Sequence, residues 1–133
     1  MHHMVLAVVN ASAVDDRVLA DHHRQMLREF CEAETHAGRG SGFMWEALAD
    51  LTHEPAERVS RYEKALELSH ANGEPFQTIL LELGRCCFDA ADWKSAGNWL
   101  MQARDQAICM EDLDTEGDAV VLLLRIPEEC EGA

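Results

Sequence analysis

The run Leu80-x2-Leu83-Gly84-x2-Cys87, followed by Ala96-x3-Leu100-x2-Ala103, constrains this chain most. Its apolar residues recur at three and four, the period of one face of a helix. A glycine in the first run and alanines in the second remove the bulk that holds helices apart. The arithmetic is that of two antiparallel helices packed side by side, with Gly84 facing Ala96 and Ala103. Such a chain is expected to bind other polypeptides rather than to catalyse a reaction.

Six helices are predicted along the 133 residues. The first runs from Ser12, a capping residue, to Ala37, with Asp15 and Asp16 in its first turn where the helix dipole favours anions. Its expected packing face is Leu19, Met26, Leu27, Phe30, Ala33 and Ala37. Gly38-Arg39-Gly40-Ser41-Gly42 then reads as a flexible joint. The second helix, Phe43 to Leu51, offers Phe43, Met44, Ala47, Leu48 and Leu51 for packing, with Trp45 alongside. Pro55 suits the first turn of a third helix, which Asn72-Gly73 ends near Ala71 with a left-handed cap. Pro75 is assigned to the first turn of a fourth, ending near Phe88. Asp92 caps a fifth, Trp93 to Cys109, with the stripe Trp93, Ala96, Leu100, Ala103 and Ala107. Asp114 or Thr115 is expected to cap the last, which contains Ala119 to Ile126. The run Val120–Leu124 has the composition of a strand but no second strand to pair with, so a helix is expected there.

The fold class is therefore all-α, a short array of antiparallel helix pairs with an N-terminal packing helix. One domain is expected over 1–133: a segment and helix at 1–37, two helix pairs at 43–110, and a capping helix with an acidic tail at 111–133.

Charge narrows the partner. Twenty-five acidic residues against 11 basic give a net charge of −14, so a phosphate backbone or an acidic membrane is an unfavourable ligand. A basic protein is favoured, because opposite fields speed encounter. The five cysteines, two of them adjacent at Cys86 and Cys87, form no disulfide framework and suggest a reducing cytoplasm. The apolar run after Met4 is too short for a signal peptide and lacks a preceding Lys or Arg. No run approaches the ~20 apolar residues that span a bilayer.

The two helix pairs repeat. Ala65 and Ala103 lie 38 residues apart, each on the second helix of its pair. This spacing falls in the 20–50-residue range of stacked arrays. Leu80, Leu83, Gly84, Cys87, Ala96, Leu100 and Ala103 resemble the tetratricopeptide repeat, whose pattern is W-x2-L-G-x2-Y, then A-x3-F-x2-A, then P. The preceding pair matches in pieces, through Trp45-x2-Leu48-Ala49 and Tyr62-x2-Ala65-Leu66. Cys87 replaces the usual aromatic, and no proline ends the second unit. The resemblance covers about Phe43 to Met110 and implies a scaffold that holds a peptide or protein in a groove lined by the first helix of each pair. Carried over by position, that groove presents Phe43, Glu46, Asp50 and His53 from the first unit, and Thr78, Leu81, Arg85, Phe88 and Asp89 from the second. With Arg85 its lone strong cation, it is not expected to clamp a C-terminal carboxylate.

Chemistry finds little to stand on. His22 and His23 are neighbours and point about 100° apart on a helix. Glu32 and His36 form at most a weak pair, and no zinc-type spacing occurs, so no metal and no cofactor are predicted. His23 falls on an apolar stripe and reads as a core or interface residue, and Cys87 as a small core residue. No nucleophile elbow or phosphate loop is present. Trp99 lies off the packed stripe of its helix and is a candidate anchor. The run Glu111–Asp118, with Asp112, Asp114 and Glu116, is a candidate grip on a basic partner, and equally a set of helix-start acids. The expected function is a cytoplasmic, non-catalytic immunity or neutralising protein that occludes a basic toxin or effector. A secretion chaperone and a homo-oligomerising module, such as a homodimer, are the alternatives.

Overall fold

The structure, a computed structural model, describes residues 17–128. The expected cap at Ser12, the acids Asp15 and Asp16, the apolar run after Met4, and Cys130 lie outside the described residues. Six helices follow one another: α1 (Arg17–His36), α2 (Gly42–Asp50), α3 (Pro55–Asn72), α4 (Gln77–Asp89), α5 (Trp93–Cys109) and α6 (Leu113–Arg125). The described residues contain no strand, and Val120–Leu124 is helical. The fold is all-α. It divides into two compact units, Met1–Leu68 and Ser69–Ala133, with the boundary inside α3.

The turns set the architecture. At the end of α1 the Arg39 N–H donates to the Glu34 carbonyl (2.8 Å) and the Gly38 N–H to the Thr35 carbonyl (3.1 Å). This is the paired bond of a Schellman motif, closed by Gly38 at φ +82°. The same pair ends α3 around Gly73 (φ +67°), α4 around Ala91 (φ +58°) and α5 around Glu111 (φ +56°). In the last two an L side chain occupies the left-handed region, at a cost glycine avoids. Each of these strained residues is followed at once by an aspartate N-cap. Asp92 accepts from the Ser95 N–H, and Asp112 from the Thr115 N–H. Ala91-Asp92 and Glu111-Asp112 are one reversal used twice, 20 residues apart.

Several expected boundaries are corrected by these caps. Asp112, not Asp114 or Thr115, caps α6, and Thr115 is buried in its first turn. Pro75 lies outside α4, whose N-cap position is Phe76. The joint read as flexible is a built turn. A Cβ on Gly40 would stand 2.9 Å from the Thr35 Cα, and Ser41 caps α2 by accepting from the Met44 N–H.

In the first unit α1 packs on α2. The Trp45 indole N–H donates to Thr35 Oγ1 (2.8 Å), and the Cys31 thiol donates to the Met44 carbonyl (3.5 Å). The expected face of α1 is corrected here. Ala20, Leu27 and Cys31 are buried, whereas Leu19, Met26, Phe30, Ala33 and Ala37 are exposed. The exposed set lies roughly 80° around the helix from Leu27, at about 100° per residue. Two apolar stripes therefore run along α1, and the one through Ala20, Leu27 and Cys31 is the packed one. Gly42, Trp45, Leu48 and Ala49 of α2 and Tyr62 and Ala65 of α3 are buried as well.

In the second unit α4 and α5 form an antiparallel pair and α6 packs on both. Leu80, Leu83, Gly84, Ala96, Leu100 and Ala103 are all buried, and Cys87 is half-buried. The residue over Gly84 is Leu100 rather than an alanine. A Cβ on Gly84 would stand 2.6 Å from Leu100 Cδ2 and 2.7 Å from its Cγ. The missing side chain is thus the seat of a buried leucine, which lets the two backbones approach.

Candidate functional site

The residues expected to line a groove divide into those that are open and those the fold has occupied. On α2, Phe43 is 67% exposed, Glu46 is half-buried and His53 beyond the helix is exposed. Asp50 accepts the Tyr62 phenol hydrogen across to α3, and burial of its carboxyl raises its pKa against the opposing pull of that bond and of Arg58. It therefore orients a buried tyrosine. On α4, Thr78 and Asp89 are exposed, but Leu81 is buried and belongs to the core. Arg85 is held by two carboxylates, Glu82 at 2.6 Å and Asp118 at 3.5 Å. Phe88 meets Trp93 edge-on at 5.1 Å, and the Arg125 guanidinium stands 5.5 Å over its ring. Arg85 and Phe88 thus tie α4 to α5 and α6. Trp99 is half-buried.

The acidic run is likewise sorted by the turn that contains it. Asp112 receives Thr115 Oγ1 (2.6 Å), the Thr115 N–H (3.1 Å) and the Gln77 amide (3.2 Å). These three donors, the Thr115 hydroxyl first, hold its carboxyl below the usual range. Asp114 is exposed and Glu116 half-buried in the first turn of α6, where the helix dipole favours them.

A cleft that sequence reasoning missed lies in the first unit. One face of α1, carrying Asp21, Arg24, Arg28 and Glu32, opposes one face of α3, carrying Glu57, Arg61 and Lys64. Its two adjoining hollows, of about 310 and 520 Å³, share Glu57 and Arg61. Thr52, His53 and Trp45 contribute to the lining. The spacing of three and four on both helices was the available signal. Four of the chain's 11 basic residues line the cleft, but each strong acid there has a local partner. Asp21 pairs with Arg24, Glu32 with Arg28 (3.3 Å) and Glu57 with Arg61 (3.8 Å). Glu54 accepts from the Ala56 and Glu57 N–H groups at the start of α3. Arg61 also donates to Thr52 Oγ1 (2.6 Å), whose own hydroxyl bonds the Leu48 carbonyl. Four cations and four acids cancel, so the chain's excess negative charge lies on other surfaces.

Among the described residues no group of three His, Cys, Asp or Glu side chains is placed to hold a metal ion. The His22 and His23 rings stand 6.1 Å apart and tilted. His23 is half-buried. Cys31, Cys86, Cys87 and Cys109 are not joined in disulfides. Burial pushes the Cys31 thiol up to about 11, which keeps it protonated and a poor nucleophile at neutral pH. Among the described residues no helix is long and apolar enough to cross a membrane. Comparison with family models, with curated proteins and with solved structures gives no match.

Proposed function

We propose that this chain is a non-catalytic protein-binding module of the tetratricopeptide type, which occludes a basic partner such as a toxin or effector in the cytoplasm. One observation carries the reading. Large apolar side chains stand open on an acidic chain of net charge −14, with Phe43 67%, Leu113 78% and Leu124 81% exposed, the last two on a helix that carries Asp114, Glu116 and Asp118. Exposed apolar groups rimmed by one sign of charge suit a partner with the opposite rim. Burial of most motif positions from Trp45 to Ala103, with Leu66 and Cys87 half-buried, supports the repeat reading, since those are the places where such units pack. A secretion chaperone would use the same surface.

The test is recovery of the partner from the native host, followed by reconstitution with both purified proteins. A partner of high pI, bound more weakly as salt rises from 50 to about 300 mM, is expected. An acidic partner, or binding indifferent to salt, overturns the reading.

A homo-oligomerising module is the second reading, favoured by the open stripe Leu19, Met26, Phe30 on α1. Light scattering at two concentrations distinguishes it. A mass that doubles with concentration, and stays monomeric in Phe30→Glu, selects self-association.

A further inference from the structure

The second unit contains a helix face shaped like one already in use. Leu80-x3-Gly84 on α4 and Leu113-x3-Gly117 on α6 share their spacing, 33 residues apart. On α4 this face is covered, because Leu100 of α5 fills the space at Gly84. On α6 it is open among the described residues. There a Cβ built on Gly117 meets nothing within 4 Å, and Leu113, Val121 and Leu124 are 78%, 55% and 81% exposed. The positions 113, 117, 121 and 124 lie on one stripe at spacings of four, four and three. Thr115 and Ala119, on the other side of α6, are the residues that pack inward.

Charge identifies what fits. Asp114 and Asp118 border the stripe on one side and Glu116 on the other. Asp118 shares Arg85 with Glu82, which leaves acid in excess at that border. The one cation of α6, Arg125, is turned onto the Phe88 ring. The apolar strip is therefore flanked by carboxylates. A second copy crossing at Gly117 would set these same acids against themselves, an arrangement that like charges oppose.

We propose that α6 receives a basic amphipathic helix from the partner. The helix seats a leucine over Gly117 as Leu100 sits over Gly84, with lysine or arginine against Asp114, Glu116 and Asp118. This rests on the protein-binding reading and deepens it by naming the surface and the chemistry of the contact.

The experiment titrates the intact chain against a fluorescein-labelled 18-residue Leu/Lys helix-forming peptide, read by anisotropy in 100 mM salt. A Leu/Glu peptide of the same apolar pattern is the control. The Leu/Lys peptide is expected to bind and the Leu/Glu peptide to fail. Val121→Ser combined with Leu124→Ser should weaken binding about tenfold, the loss that follows from truncating two anchors. Gly117→Leu fills the seat while pointing into open space, so helicity stays unchanged by circular dichroism and binding falls about tenfold. Val18→Ser, an equally exposed apolar position in the first unit, should leave binding as it was. Equal binding by the parent and by the Gly117→Leu and Val121→Ser/Leu124→Ser variants overturns the proposal, as does no binding by the parent. Self-association abolished by Leu124→Ser also overturns it, by giving the face to a second copy. Should the peptide arm fail while a purified basic partner still binds parent and Gly117→Leu alike, the protein-binding reading stands and this surface does not.

Discussion

Replacing Gly84 by alanine sets two opposing effects against each other at a single atom. In an open helix interior the change stabilises by about 1 kcal/mol, through helix propensity. Here the new Cβ would stand 2.6 and 2.7 Å from Leu100 Cδ2 and Cγ, well inside contact distance. Leu100 is fully buried and cannot swing into solvent, so the strain resembles overpacking, about 1–3 kcal/mol. Strain outweighs the gain in propensity, and Gly84→Ala should destabilise by about 1 kcal/mol. Leu100→Ala alone should cost about 2–5 kcal/mol, as core cavities usually do. In that background the clash is gone. The nearest remaining atom of residue 100 is its backbone nitrogen at 3.4 Å, an ordinary contact. Gly84→Ala should then stabilise by up to about 1 kcal/mol, so its effect changes sign and the coupling is about 2 kcal/mol. Urea unfolding followed by circular dichroism at 222 nm, on all four members of the cycle, measures this. The same effect of Gly84→Ala in both backgrounds would show that Leu100 does not sit over Gly84, and the packing argument would fall.

Three further outcomes follow from the turns and the core. Ala91→Gly and Glu111→Gly should each raise stability by about 0.5–1 kcal/mol, since the left-handed strain relieved exceeds the chain entropy added; thermal melts check the sign. Ser69→Ala should stabilise by about 1 kcal/mol, because the Ser69 hydroxyl is buried without a hydrogen-bond partner among the described residues; a loss in urea unfolding would mean the hydroxyl is satisfied. Asp112 is held below its ordinary pKa by Thr115 and Gln77, so its contribution is present above the unfolded carboxylate value and is lost as pH falls through the folded one. Melting temperatures of parent and Asp112→Asn, which keeps a capping side chain, should therefore converge on acidification from pH 6 to about pH 2.

Much of the helical order is legible in the sequence because its punctuation is local. Pro55, Gly73 and Asp92 act through their own backbone or a residue three away, and the helices they delimit match the expected ones closely. The ends at Ala91 and Glu111 carry no glycine, so the left-handed residue there leaves no compositional mark. The face of α1 misleads for a different reason. Leu19, Met26 and Phe30 outweigh Ala20 and Cys31 on any hydropathy count, yet Ala20, Leu27 and Cys31 are the buried residues. The roles of Arg85, Phe88 and Asp112 depend on which side chains arrive from other helices. Glu82 is legible as the i,i+3 partner of Arg85 on α4, but no spacing within one helix predicts Asp118 beside Arg85 or the guanidinium over Phe88. The α1–α3 cleft has a periodic signal on each wall, but pairing those walls requires the fold.

The duplicated hinge at Ala91-Asp92 and Glu111-Asp112 separates two tasks that proteins often entangle. The direction of the chain is written in two backbone hydrogen bonds and one carboxylate, none of which consults the outward surfaces of the helices it connects. Those surfaces are free to drift in sequence while the path of the main chain holds. A lineage built on this hinge can change its outward helix faces without relearning how to fold.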